Sequence, residues 1–99
     1  MGLSISSGLI NATAAQQISV GKSILSGIVA VSDNNNPATI TVYDNDSGTA
    51  SGTVLAKLTA TLTTGANSVA FVTPIRADLG LVVSVTGTGT PQGLVYYGA

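Results

Sequence analysis

A two-residue hydrophobic period, cut into short runs by turn-forming residues, is the feature that most narrows what this chain can become. Val54, Ala56, Leu58, Ala60 and Leu62 alternate with Thr53, Leu55, Lys57, Thr59 and Thr61. Successive side chains of a strand point to opposite faces, so this alternation assigns one set to each side of a sheet. Ile40 and Val42 alternate with Thr39, Thr41 and Tyr43 in the same way. Leu79, Leu81, Val83 and Val85 repeat the pattern, with Ser84 and Thr86 facing away. The many Val and Thr residues suit a pleated surface because they are β-branched. Helical spacing is not sustained over three turns anywhere, and its nearest approach, residues 11–17, is too short to stand alone.

The breaks between runs agree with this reading. Residues 33–37 (Asp-Asn-Asn-Asn-Pro) form a loop, since Asn and Asp tolerate turn geometry and Pro cannot continue a central strand. Residues 44–52 are a second loop, rich in Asp, Asn, Ser and Gly. Thr64-Gly65-Ala66-Asn67 reads as a hairpin connection, Thr73-Pro74 as the end of a strand over Val69 to Val72, and residues 86–93 as a Gly/Thr/Pro turn. Strands are expected near 3–6, 8–12, 16–20, 23–32, 38–43, 53–62, 68–73, 80–86 and 93–97. Eight or nine short strands at about ten-residue spacing predict an all-β chain, a jelly-roll-like antiparallel sandwich forming a single domain. Residues 9–99 would make up the sandwich. Residues 1–8 are expected to form an N-terminal arm, since Ser4, Ser6, Ser7 and Gly8 offer little to anchor them.

Composition limits what such a sandwich can do. The chain has 99 residues, with no His, Cys, Trp or Glu, and its charges are Lys22, Lys57 and Arg76 against Asp33, Asp44, Asp46 and Asp78. Nucleophilic catalysis needs a base beside Ser or Thr, and no His is present to serve. Paired-carboxylate hydrolysis needs two acids in one cleft, whereas three of the four Asp residues sit among turn formers. The chain is therefore not expected to be an enzyme or to hold a cofactor. Three scattered cations cannot form the basic stripe that nucleic acid requires. No apolar run approaches the ~20 residues needed to cross a bilayer, so no membrane partner is expected either. A domain this small, without disulfides or a metal, gains stability by packing against copies of itself. A homo-oligomer is expected.

Few residues stand out as site candidates. Asp44 and Asp46 flank Asn45 and could offer hard oxygen ligands to Ca²⁺, although the Gly of an EF-hand loop is misplaced and no Glu closes it. The alternative is a polar turn whose side chains bond nearby backbone amides. Residues 87–93 resemble a nucleotide loop only superficially, because Pro91 removes a donor and no helix follows. Tyr43, Tyr96 and Tyr97 could anchor an interface or stack on sugars. Tyr96 and Tyr97 are adjacent, so at most one can enter the core. Leu3 and Ile5 complete the interface candidates.

The order of the segments carries a resemblance. Lys22-Ser23-Ile24-Leu25-Ser26-Gly27-Ile28-Val29-Ala30-Val31-Ser32 leads into Ala38-Thr39-Ile40-Thr41-Val42-Tyr43-Asp44. Ser51-Gly52-Thr53-Val54-Leu55-Ala56 follows a loop, and Leu79-Gly80-Leu81-Val82-Val83-Ser84-Val85-Thr86-Gly87-Thr88-Gly89 precedes the closing Gly93-Leu94-Val95-Tyr96-Tyr97-Gly98. Over about residues 20–98 this resembles small virion proteins of tailed bacteriophages, either capsid decoration (cement) proteins or head and tail fibre modules. The resemblance implies a jelly-roll-like fold, frequent trimers, location on the virion surface, and a phage major capsid protein or other virion protein as partner. It supplies no catalytic residues. Decoration of the assembled head is the function expected, with the arm and an exposed sheet edge facing the shell and the 33–37 and 44–52 loops facing outward or lining a trimer axis. A receptor- or glycan-binding fibre tip is the alternative, and it predicts that the tyrosines and the loop Asn and Asp residues converge on one patch.

Overall fold

A computed structural model describes residues 5–11, 15–32, 36–61, 66–87 and 89–98. Among them run nine strands: β1 (Ile5–Ser6), β2 (Ile10–Asn11), β3 (Gln16–Val20), β4 (Ser23–Val31), β5 (Ala38–Asp44), β6 (Thr53–Ala60), β7 (Ala66–Ala77), β8 (Gly80–Gly87) and β9 (Gln92–Gly98). All pairings are antiparallel. One sheet, sheet A, has the order β1-β9-β4-β7, with β2 also on β9; the other, sheet B, has the order β3-β8-β5-β6.

The pairs nest. β5 pairs with β6, β4 with β7, β3 with β8 and β2 with β9. One long hairpin is thus wound on itself, and the β4–β9 and β5–β8 ladders stitch its turns into two layers. This is the connectivity of a jelly-roll sandwich. The connections β3–β4, β5–β6 and β7–β8 gather at one end.

The core lies between the layers. Leu25, Ile28, Ala30 and Val95 of sheet A meet Ile40, Val42, Leu81, Val83 and Val85 of sheet B, all essentially shielded from solvent. Gly93 lets the layers approach closely: a Cβ there would stand 2.9 Å from Ile40 Cδ1 and 3.2 Å from Val85 Cγ2. Gly80 opens β8 with φ +148°, and a Cβ on it would be driven into the carbonyl oxygens of Ser19 and Asn45.

Three expectations need correction. Thr73-Pro74 does not end a strand. β7 runs on to Ala77, and only its pairing with β4 lapses, between Ala70 opposite Gly27 and Ile75 opposite Leu25. Pro74 falls in that lapse, on the outermost strand of sheet A, where no ladder donor is required of it. Ala66 and Asn67 belong to β7, opposite Val31 and Ala30. β6 and β7 belong to different sheets, so they are not a hairpin pair, and Thr64 and Gly65 lie outside the described residues. Finally, Val54 and Leu79 are half-exposed, at 52% and 50%. Leu79 lies in the turn before β8. Val54 is turned outward by a bulge: Val42 pairs with Ala56 but Tyr43 with Val54, leaving Leu55 as the extra residue. Leu55 takes the inward place that strict alternation gave to Val54.

Two substitutions measure this arrangement. Ile28→Ala should cost about 3 kcal/mol in urea unfolding, whereas Val54→Ala should stay within about 0.5 kcal/mol. Equal losses would place Val54 in the core and refute the bulge. Gly80→Ala should cost more than about 2 kcal/mol, since positive φ and close backbone contact both oppose a side chain.

Candidate functional site

At the end bearing the β3–β4, β5–β6 and β7–β8 connections, polar side chains lock the turns together. Asp44, the last residue of β5, accepts backbone N–H bonds from Leu79 (2.8 Å), Asp78 (3.2 Å) and Gly80 (3.4 Å). Partial burial of its carboxyl pushes the pKa upward, but these three amides outweigh that and hold it below the ordinary aspartate value. Gln17 of β3 donates from Nε2 to the carbonyls of Ser19 (2.6 Å), Asn45 (2.9 Å) and Leu81 (3.2 Å), and its Oε1 accepts from Gly48 N–H (2.8 Å). The 45–52 loop is also closed internally: Asn45 Nδ2 donates to the Ser51 carbonyl, and Asn45 Oδ1 accepts from the Ser47 N–H. Ser19 and Ser23 hydroxyls, 2.7 Å apart, join the two sheets at this end. No buried side-chain nitrogen or oxygen among the described residues lacks a partner.

This network places the calcium candidates. Asp44 fastens the β5 end to the β7–β8 turn through amides distant in sequence. Asp46 lies exposed in the loop. Among the described residues no three His, Cys, Asp or Glu side chains gather as a metal-binding group. Gln17 drew no attention in the sequence, because nothing local shows that a polar residue in a short strand will reach a loop 28 positions away.

The interface candidates separate. Tyr97 pairs with Leu25 and packs on the core, while Tyr96 pairs with Gly27 on the outer face of sheet A, 42% exposed. Tyr43 lies on the outer face of sheet B, in register with Val82 and Val54. The three tyrosines thus occupy three different surroundings. Ile5 is 56% exposed opposite Tyr97, at the locked end. Leu3 and the 33–35 segment lie outside the described residues.

Two apolar surfaces emerge instead. β6 and β7 face each other along one side of the sandwich, so β1, β2 and β3 share the opposite side. There Ile5, Leu9 and Val20 stand exposed, with Leu79 beside Val20: Gly21 N–H donates to the Leu79 carbonyl (2.7 Å) and Val20 pairs with Gly80. The second surface is the outer face of sheet A. Register puts Ile24, Val29, Val31, Leu94 and Tyr96 on it, with Gln92 and Arg76. The outer face of sheet B differs: Thr59, Thr39 and Thr86 form one cross-strand row, and Lys57, Thr41 and Ser84 the next. Thr39 and Thr59 hydroxyls bond at 2.9 Å.

The strand edges carry features that disfavour further pairing. β3 is bulged at Ile18, β6 carries Lys57 and the Leu55 bulge, β7 carries Pro74, and the β1/β2 edge is interrupted at Ser7, which bonds Val95 through both its N–H and its Oγ.

The Asp44 clasp has a pH signature. A depressed folded-state pKa stabilises fully above the unfolded value of about 3.9 and is lost as pH falls through the lower folded value. Asp44→Asn should cost about 1 kcal/mol near neutrality, and its difference from the unaltered protein should shrink below about pH 4. Urea midpoints measured across that range check this; a constant difference would mean that the carboxylate charge is irrelevant to the clasp. No protein-family model matches this chain, and no curated protein sequence matches it, so its function has to be argued from these surfaces.

Proposed function

We propose that this chain is a structural component of a tailed-phage particle, a decoration or cement protein that binds the assembled head and ties neighbouring capsid subunits together. The observation that carries the reading is the locked apolar corner. Ile5, Leu9, Val20 and Leu79 display apolar surface on one side, and the turns beneath Val20 and Leu79 are fixed by Asp44 and Gln17. A preorganised contact loses little conformational freedom on docking. A surface with few charges has few ions to desolvate. Repeated over a shell, weak contacts add through effective concentration. The jelly-roll connectivity and the resemblance of residues 20–98 to phage virion proteins support the same reading. The divergence of the three tyrosines does not favour a sugar-stacking fibre tip.

The test uses heads of the phage that encodes the chain, assembled without it. The purified protein should bind them saturably and raise their resistance to heat or chelation. Deleting residues 1–8, or introducing Val20→Asp, should each reduce occupancy at least about tenfold, a change equivalent to about 1.4 kcal/mol per site. Full occupancy by both variants would remove the corner from the mechanism. Failure of the unaltered protein to bind any such head would end the decoration reading.

A further inference from the structure

The outer face of sheet B is covered at one end. Across its strands Gln17, Val82, Tyr43 and Val54 form one register row. Exposure falls steeply along that row: Val54 is 52% exposed, Tyr43 is half-buried and Val82 is fully shielded. Ser84 and Thr86, the next outward residues of β8, open up in turn. The cover therefore lies over Val82, at the Gln17 end. β8 sits between β3 and β5 in the sheet, yet the loop that follows β5 reaches back to β3. Gln17 Nε2 donates to the Asn45 carbonyl (2.9 Å), and the Gly48 N–H donates to Gln17 Oε1 (2.8 Å). Those bonds cross β8, which puts the 45–52 loop over Val82.

We propose that the 45–52 loop is a strap with one side-chain latch, Gln17, and that it swings off β8 as a unit while the sandwich stays folded, uncovering Val82 and Tyr43. Internal bonding is the first argument. Asn45 Nδ2 donates to the Ser51 carbonyl (3.0 Å), Ser51 N–H donates to the Thr49 carbonyl (2.9 Å), and the hydroxyls of Ser47, Thr49 and Ser51 follow one another at 2.9 Å. The two ends meet where Asp44 pairs with Thr53. Ends together and an interior bonded to itself are the anatomy of an Ω-loop. Weak fastening is the second argument. Asp46, Ser47, Thr49, Ala50, Ser51 and Gly52 are exposed, and the loop adds no side chain to the core. Beyond the loop and the strands it joins, its hydrogen bonds among the described residues go to Gln17 and, through Asn45 N–H, to the Gly80 carbonyl (3.3 Å). A separate root is the third. Asp44 is held by the 78–80 amides, so the strap lifts without loosening the β7–β8 turn. Opening gives up those few bonds and wets one valine, whereas unfolding gives up the whole core. Such local openings lie below global unfolding in free energy.

The strap does not depend on the head-binding reading, and its test uses the isolated full chain. That chain has no cysteine, so Val82→Cys and Val83→Cys each introduce a single thiol, the first under the strap and the second in the core. Under native conditions the Val82→Cys thiol should react with dithionitrobenzoate at least about tenfold faster than the Val83→Cys thiol. Adding Gln17→Met should speed the first at least about tenfold more than the second. In the unaltered protein, hydrogen exchange at the Gly48 amide should hardly change in dilute urea, because opening exposes little surface, while exchange at Val83 should rise steeply. Replacing residues 45–52 with Asn-Gly, a two-residue hairpin turn, should give the Val82→Cys thiol the reactivity of an exposed one. Equal rates for the two thiols, an equal effect of Gln17→Met on both, or the same urea slope at Gly48 and Val83 would each mean that the loop opens only when the whole sandwich unfolds, and would overturn the proposal. So would a slow Val82→Cys thiol in the shortened chain, since Val82 would then be covered by something other than the strap.

Discussion

Register governs this molecule, and three extra residues set it. Ile18 in β3, Ser26 in β4 and Leu55 in β6 each stand where one strand has a residue its neighbour lacks. A shift of one position exchanges the faces of every side chain beyond it. In β4 the inward set passes from Ser23 and Leu25 to Ile28 and Ala30 across Ser26. Without that step, either Leu25 or Ile28 would leave the core. The bulges also add twist and spoil the outer ladders, so the devices that aim the core help to protect the edges.

The strand plan was legible because its cues are local. Alternation in β5 and turn residues at 33–37 and 44–52 placed the elements within a few positions of where they lie. What stayed hidden depends on distant partners. Val54 reads as a core residue until Tyr43 is seen to skip Leu55. Pro74 reads as a strand end until β7 is placed at the margin of its sheet, where a missing donor costs nothing. Val82 belongs to the outward parity of β8, yet it is fully buried beside Gln17 and Tyr43. The site was less legible than the fold. Asp44 was visible as a turn residue, but its three amide partners come from residues 34 to 36 positions away. The apolar outward set of β4 and β9 was present in the sequence as a failure of alternation, and it could have been noticed there.

A chain nearly free of titratable groups depends on neutral polar contacts for its fixed geometry. Gln17 illustrates this: one uncharged amide touches the carbonyls of two strands and a loop and accepts a fourth bond from Gly48. Neutral contacts of this kind are insensitive to salt, whereas exposed ion pairs are screened by it. The locked end therefore rests mainly on neutral contacts, and the Asp44 carboxylate links it to pH.

β9 is last in the chain yet internal to its sheet, flanked by β4 on one side and by β1 and β2 on the other. Ile28 meets Val95 and Ile10 meets Gly93 only once residues 92–98 exist. β1 and β2 pair only with β9, so they stay unpaired until residues 92–98 have been made. Closing contacts over such separations slows folding. A chain cut short before β9 would expose the β4 edge and the core residues together, a form fit for proteolysis and not for assembly.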